Sequence, residues 1–419
     1  MTINPPPIKH HLIYLLSFTL LAACSKPSPG SPSGPSSGNG NGADTLGAPI
    51  INYYLPNSGN IGDTVYIIGQ NFSQTAKANQ VNFNPALAVP IEVAIGAKYD
   101  TLEVIVPPGA TTGRLTLSVL SKTVTTKDTF WITTGTWIRK ADFPNGGREY
   151  ALAFGIGSKG YFGFGDPFGF IPEHDFWEFD PALNKWTRKT DCPSCEATTG
   201  FVIGNTIYVG FDNNATATAS NTFHTYDPST DSWSVKGSVP GQGISNAVSF
   251  GAAGKGYVTS QNFTYQFLVY DPASGLWTVN NNFPVPIRNS ASGFVINDEL
   301  YLGGGHWDSV TYTDLWKYSP SLDKWTQLAN AFSGSYPLTS FALNGKGYWL
   351  LGNGSYKGSG FYEYDPATNK WSMKKAFPGL AYTNEMSFVA DNRAFVTGGG
   401  IFLSMAHDSL SPETWEFVP

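Results

Sequence analysis

Beyond residue 47 the apolar positions come in short runs, cut by Gly, Pro, Asn and Asp. In VYIIG (65–69), Val65 and Ile67 alternate with Tyr66 and Ile68, which predicts a strand bounded by Gly69. VNFN, LEVIVP, RLTLSVL and DTFWI follow at strand length, with turn residues between them. Further on, the pattern repeats. FWEFDPALNKW, FHTYDPSTDSW, FLVYDPASGLW, LWKYSPSLDKW and FYEYDPATNKW each end with Trp five residues after Pro. The Trp residues (186, 233, 277, 325 and 371) are spaced by 47, 44, 48 and 46. Upstream lies a strand such as GYFGFG, LYLGGG or AFVTGGG, and before it an apolar run such as ALAFGI, TGFVIG or SFALNG. Each unit therefore predicts four strands: an apolar inner one, one ending in Gly, an aromatic one running into Asp-Pro, and one centred on Trp.

Six inner strands can be counted, but only five complete Trp endings. TGTWIRKADFP (134–144) resembles NKWTRKTDCP (184–193) and NKWSMKKAFP (369–378), and Trp137 stands 49 residues before Trp186. The strand around Trp137 is therefore expected to complete the last unit beside TWEFV (414–418), near the final Pro419. This closes a ring, removes open sheet edges and ties both ends of the domain together.

Composition narrows the function. Of 419 residues only 13% are charged, 15% are aromatic and 46 are Gly, unlike a disordered chain. A net charge of −6 argues against nucleic-acid binding, which needs a basic surface. The run LIYLLSFTLLAA (12–23) has signal-peptide length and ends in LAAC, which resembles a bacterial lipobox with Cys24 as the lipidated residue. The resemblance implies a signal peptide (1–23) and a lipid-anchored protein of the bacterial cell envelope, expected at the outer membrane and touching it through the anchor alone. Residues 24–47, rich in Ser, Pro and Gly, read as a disordered tether. Cys192 and Cys195 form a CxxC that reads as a local structural disulfide, with a free pair or a redox or metal role as alternatives.

Residues 48–133 resemble the IPT/TIG family of Ig-like domains, through Pro56, Gly59, Gly62, VYIIGQNF (65–72) and VPPGATTGRLTLSV (106–119). Residues 134–419 resemble kelch repeats, on the units described above. Together they imply an all-β chain, an Ig-like β-sandwich followed by a six-bladed β-propeller closed by the strand around Trp137. Glycines let strands crowd at the axis, Tyr and Trp fill the gaps between blades, and Asp-Pro starts the turn into the fourth strand. Ser319 replaces that Asp in the fourth unit.

The long connections (FGDPFGFIPEHD, FDNNATATASN, SQNFTYQ, GHWDSVTYTD, NGSYKGSG and GGIFLSMAHDSLSPE) are expected on one face, where binding residues gather. They carry His174, His306, His407, Phe168, Phe170, Tyr265, Trp307, Tyr312 and Tyr356. Trp307, two residues past a glycine cluster, leads the candidates, with His306, Tyr356 and Tyr265. Arg148 and Arg288 occupy matching places before an inner strand, where each would meet a ligand carboxylate or hydroxyl, or else form an ion pair with a neighbouring acid. Glu149, Glu196 and Glu385 lie near the same rim, with no acid–base pair assignable. His224 reads as a surface or packing residue. The histidines lack metal-ligand spacing, so no metal or cofactor is expected. The primary expectation is a monomeric binding protein that presents its long-loop face to a glycan or protein. The alternatives are an enzyme similar to sialic acid epimerases, or a structural part of an envelope assembly. Galactose oxidases, which need a copper site of Tyr and His with a Tyr–Cys cross-link, fit poorly.

Overall fold

The computed structural model describes residues 47–96, 98–167, 173–193, 199–210, 222–239, 247–260, 266–280, 282–286, 288–331, 337–352, 360–379, 386–401 and 409–419. Among them strands dominate, and there is one short 3-10 turn, Ala76–Ala78, and no α-helix. No helix there is long and apolar enough to cross a membrane.

The first part is a two-sheet sandwich. One sheet runs Ile50–Leu55, Thr64–Gln70, Asp100–Ile105, Glu92–Ala94; the other runs Ser58–Gly59, Lys122–Ile132, Gly113–Val119, Asn79–Phe83, Ala86–Ala88. The alternation in VYIIG sorts the faces: Val65 and Ile67 are fully buried with Leu102, Val104, Leu117 and Phe130, while Tyr66 faces out.

Next come six four-stranded antiparallel sheets, the blades. Blade 1 is Leu152–Ile156, Lys159–Gly163, Phe176–Asp180 and Lys185–Arg188, and blades 2 to 5 follow in chain order. Blade 6 is Met386–Ala390, Arg393–Thr397, Thr414–Val418 and, from the other end of the domain, Thr136–Arg139. The ring closure read from the repeats is therefore present, in the same register as the rest. Trp186 lies opposite Phe179, Trp233 opposite Tyr226, Trp371 opposite Tyr364, and Trp137 opposite Phe417. The indoles of four blades also staple them to the blade before: Trp137 Nε1 donates to Lys375 O (3.0 Å), Trp186 to Ala141 O (3.1 Å), Trp233 to Thr190 O (2.8 Å) and Trp371 to Ala329 O (3.2 Å). Blade 6 then packs on blade 1 through Phe388, Phe395, Phe179 and Trp186.

The expected removal of open sheet edges is not found. Closure joins the ends but leaves an edge on every blade, because the Trp strand is outermost in each sheet. Lys185 and Arg188, Lys236, Lys324, Lys370 and Arg139 on these strands guard five of the six, as charges on exposed edges do.

The inner strands explain how six blades fit one axis. All six place a buried Phe third from their last residue: Phe154, Phe201, Phe250, Phe294, Phe341 and Phe388. The next position alternates small and branched around the ring: Gly155, Val202, Gly251, Val295, Ala342, Val389. A Cβ on Gly155 would collide with the Val389 carbonyl, and one on Gly251 with that of Val202. Hydroxyls stitch neighbouring inner strands, Thr199 to Ser249 (2.8 Å), Ser292 to Ser340 (2.6 Å) and Thr339 to Ser387 (2.8 Å). Gly251→Val is therefore expected to destabilise the propeller by ~1–3 kcal/mol or more, because a packed backbone cannot retreat. Thermal melts of the variant beside Val295→Ala, which only opens a small cavity, check this; a melting temperature for Gly251→Val at or above that of the parent counts against the packing argument.

The predicted Asp-Pro turns are present, with Asp180, Asp227, Asp271 and Asp365 each accepting a bond from the backbone N–H two residues on. At Ser319 the carbonyl holds the turn, bonded to Leu322 N (3.2 Å). Cys192 is buried and disulfide-bonded; Cys24 and Cys195 lie outside the described residues. The sandwich meets the ring through Asn60 Nδ2 to Gly135 O (2.9 Å) and a Lys375–Asp63 ion pair (3.2 Å).

Candidate functional site

The connections sort onto faces as their lengths suggest. In blade 1, Glu149, on the approach to the inner strand, bridges to Asp166 in the loop between strands two and three. In blade 4, Asn289 bridges to His306 in the same way. Blade-to-blade segments and second-to-third loops therefore share a face. Of this face, blade 4 is described continuously from residue 288 to 331.

There the loop folds into a small hairpin, His306–Trp307 against Val310–Thr311, with Trp307 directly opposite Val310. Gly304, Gly305 and Asp308 take positive φ (66°, 87° and 52°), and these left-handed residues let the chain reverse sharply. Trp307 is 46% exposed and Val310 51%, so the tip presents an indole beside a branched aliphatic side chain.

The base of the hairpin is held by Arg288, which is 1% exposed. Its guanidinium bonds Asp314 through both oxygens (2.5 and 2.9 Å) and the carbonyls of Gly304 (2.9 Å) and Pro286 (3.1 Å). It also lies 4.1 Å from the ring centroid of Tyr312. Trp316 Nε1 donates to Asp314 (2.8 Å). Blade 1 repeats the arrangement. Arg148, fully buried, bonds Asp175 (2.5 and 3.2 Å) and the Phe164 carbonyl (2.9 Å), and Trp177 Nε1 donates to Asp175 (2.7 Å). Burial pushes the Asp175 carboxyl up, but Arg148, Trp177 and Asn145 outweigh it and hold the group below the ordinary carboxylate range.

Both arginines therefore take the ion-pair arrangement instead of pointing a free guanidinium at a ligand. The reason is physical: a buried guanidinium needs a paired carboxylate, and the third strand supplies one. They position loops and are not themselves exposed for contact. The partners carry a sequence signal that the site residues above do not include, an acid two residues before Trp: Asp175–Trp177, Asp314–Trp316 and, in blade 6, Glu413–Trp415, where Trp415 Nε1 donates to Glu413 (3.0 Å). Val310 also goes unnoticed in sequence, because nothing but pairing places it beside Trp307.

The remaining candidates divide. His306 sits half-buried on the hairpin beside Trp307. Tyr265, Tyr356, Phe168, Phe170, His407, Glu196 and Glu385 lie outside the described residues. His174 and His306 belong to blades 1 and 4, and among the described residues no three of His, Cys, Asp and Glu gather as a metal site. His224 is 5% exposed inside blade 2, where burial lowers its pKa.

Comparison with known proteins agrees with this architecture. The IPT/TIG domain family matches residues 49–131, and the Kelch motif matches 287–331, the blade that bears the hairpin. Kelch-like protein 35 of Mus musculus is 25% identical over 132 residues, covering 31% of this chain and 22% of the relative. Kelch-like protein 6 of Homo sapiens is 31% identical over 107 residues, covering 25% and 16%. The chain thus matches about a fifth of the length of these relatives. A solved structure described as "Structure of YjhT" superimposes with a TM-score of 0.52 at 16% identity, over 66% of this chain and 95% of that one, a likeness of fold. The chain carries an IPT/TIG domain followed by a kelch-repeat β-propeller.

Proposed function

We propose that this is a binding protein whose propeller holds a protein partner at the long-loop face, centred on the blade 4 hairpin. One observation carries the reading: Trp307 and Val310 stand side by side and half exposed on a loop whose base is locked by the Arg288–Asp314 pair and the Tyr312 ring. An aromatic anchor on a rigid support loses little entropy on docking, and such anchors carry most of the energy of protein interfaces. The match to the Kelch motif, a protein-contact module in general, supports the same reading. LAAC at 21–24 supports presentation from the cell envelope on a lipid at Cys24. An indole also stacks on sugar rings, so a glycan is the second reading, favoured by the same Trp307.

Site-specific photocrosslinking separates these readings. A benzophenone side chain at position 307 is expected to trap a protein partner in cells, while one at Leu322, exposed on a third-to-fourth turn of the opposite face, traps none. Trp307→Ala is expected to weaken that partner by ~30-fold or more, at an unchanged melting temperature. Binding on a glycan array that Trp307→Ala abolishes, with no crosslink at 307, would shift the reading to a sugar. Equal crosslinking at both positions would overturn it.

A further inference from the structure

The two outward faces of the Ig-like sandwich differ. The five-stranded sheet's is mostly polar: Thr116 pairs with Thr125 and Ser118 with Thr123 through their hydroxyls (3.3 and 2.9 Å), Gln80 and Asn82 extend the rows, and Leu87 opposite Asn82 is an exposed apolar side chain at its edge. On the four-stranded sheet Tyr53 lies opposite Ile68, Leu55 opposite Tyr66, and Ile105 opposite Thr64. Tyr53 is 51% and Leu55 57% exposed, and Ile50 and Tyr66 are exposed too. The alternate residues Tyr54, Val65 and Ile67 fill the core. Ile50–Leu55 and Thr64–Gln70 are thus apolar on both sides, the pattern of strands covered on both faces.

Size selects the occupant. Four strands ~4.8 Å apart and six residues of ~3.3 Å make a face of about 400 Å², of which the apolar half lies on two strands. A stable complex between free partners buries about 800 Å² on each side. This face is too small to capture a free protein or a second copy, but it suits a surface already held nearby. The chain outside the described residues supplies the means. It enters the sandwich at Gly47, just before the edge strand of this face, and 22 residues (25–46) separate that point from Cys24. A Ser/Gly-rich sequence of that length has a mean reach of about 25 Å.

We propose that this apolar face rests on the headgroup layer of the bilayer that holds the chain; the proposal depends on Cys24 being lipidated. Tyrosines suit that layer, with the ring against apolar matter and the hydroxyl in water. The row Leu55, Tyr66, Glu103, Glu92 passes from apolar to acidic across the sheet. The edge at Ile50–Leu55 dips toward the lipid while the two carboxylates stay in water. The open backbone of that edge keeps its hydrogen bonds in the hydrated headgroups and does not enter the hydrocarbon.

The experiment is hydroxyl-radical footprinting of the lipid-anchored full chain in phosphatidylcholine vesicles, beside a soluble chain of residues 47–419, which contains all seven packed cores. Oxidation of Tyr53, Leu55 and Tyr66 is expected to fall at least threefold in the anchored chain, while Leu322 is labelled equally in both. Leu55→Glu with Tyr66→Glu is expected to restore the labelling of Tyr53 with the anchor still attached. The mass of the N-terminal peptide reads the lipid on Cys24. Its absence overturns the anchoring and this inference with it. A lipidated chain labelled like the soluble one overturns this inference alone. Protection in the soluble chain that grows with protein concentration assigns the face to a second copy and also overturns it.

Discussion

Removing residues 134–141 is expected to abolish cooperative unfolding of the propeller, whereas removing residues 47–133 leaves the ring intact with a modest loss. The short segment supplies the fourth strand of blade 6, paired from Thr136 with Val418 to Arg139 with Trp415. Trp137 packs on Phe361, Phe377 and Phe417 with ring centroids 4.9–5.0 Å away, and its indole bonds blade 5. Losing one such Trp costs ~3–5 kcal/mol. With the strand lost as well, the deficit approaches the 5–15 kcal/mol that holds a typical domain together. The sandwich has its own core, and its few polar contacts with the ring, such as Lys375–Asp63, are partly exposed and worth little. Calorimetry of the two truncations decides the matter: equal melting temperatures would mean that the strand does not close the ring. Acid should act on the same seam. Arg393, against the pull of burial, and then Lys140 hold the Glu416 carboxyl below its ordinary value of 4.5. Its contribution is complete above that value and disappears as pH falls through the lower folded-state pKa. Glu416→Gln is expected to flatten this acid limb of the stability curve.

Asp175→Ala is the second large effect, expected to cost ~3–5 kcal/mol because it strands a fully buried guanidinium. Arg148→Met combined with Asp175→Leu removes both charges and is expected to recover most of that loss. A double variant as unstable as the single one would show that the pair is not a unit. The pH sign follows from Asp175 being held low: the pair is intact at neutral pH and fails only as acid protonates the carboxyl below its unfolded value. Chemical denaturation of the three chains at pH 7 and near pH 3 reads both effects, with the parent losing more on acidification than the double variant.

The architecture was legible because repetition magnifies weak signals. One Trp after Asp-Pro says little, but five at one spacing define blades, and Trp137 one spacing earlier defines the closure. The roles of Arg148 and Arg288 were less legible, since their partners, Asp175 and Asp314, stand 27 and 26 residues away on another strand. A single sequence shows where a guanidinium sits in a repeat, not whether a carboxylate shares its burial. The recurring acid before Trp was the available hint. Trp307 could be picked by position alone, while its companion Val310 depends on a two-residue reversal that only the backbone reveals. The unguarded outer strand of blade 3, LWTVN, shows the reverse case, where sequence alone reveals a missing charge once the strand is known to be an edge.

The junction between sandwich and ring also determines how the molecule bears load. A pull from the N-terminal side reaches the propeller along Thr136–Arg139, which pairs antiparallel with Thr414–Val418, so a pull along the strand axis strains the ladder in shear and all its bonds resist together. A partner gripped at Trp307 pulls from blade 4, which blade 5 separates from that strand. Tension between the two would run through the stapled inner strands of blades 4, 5 and 6 and end at the seam where the two ends of the domain meet.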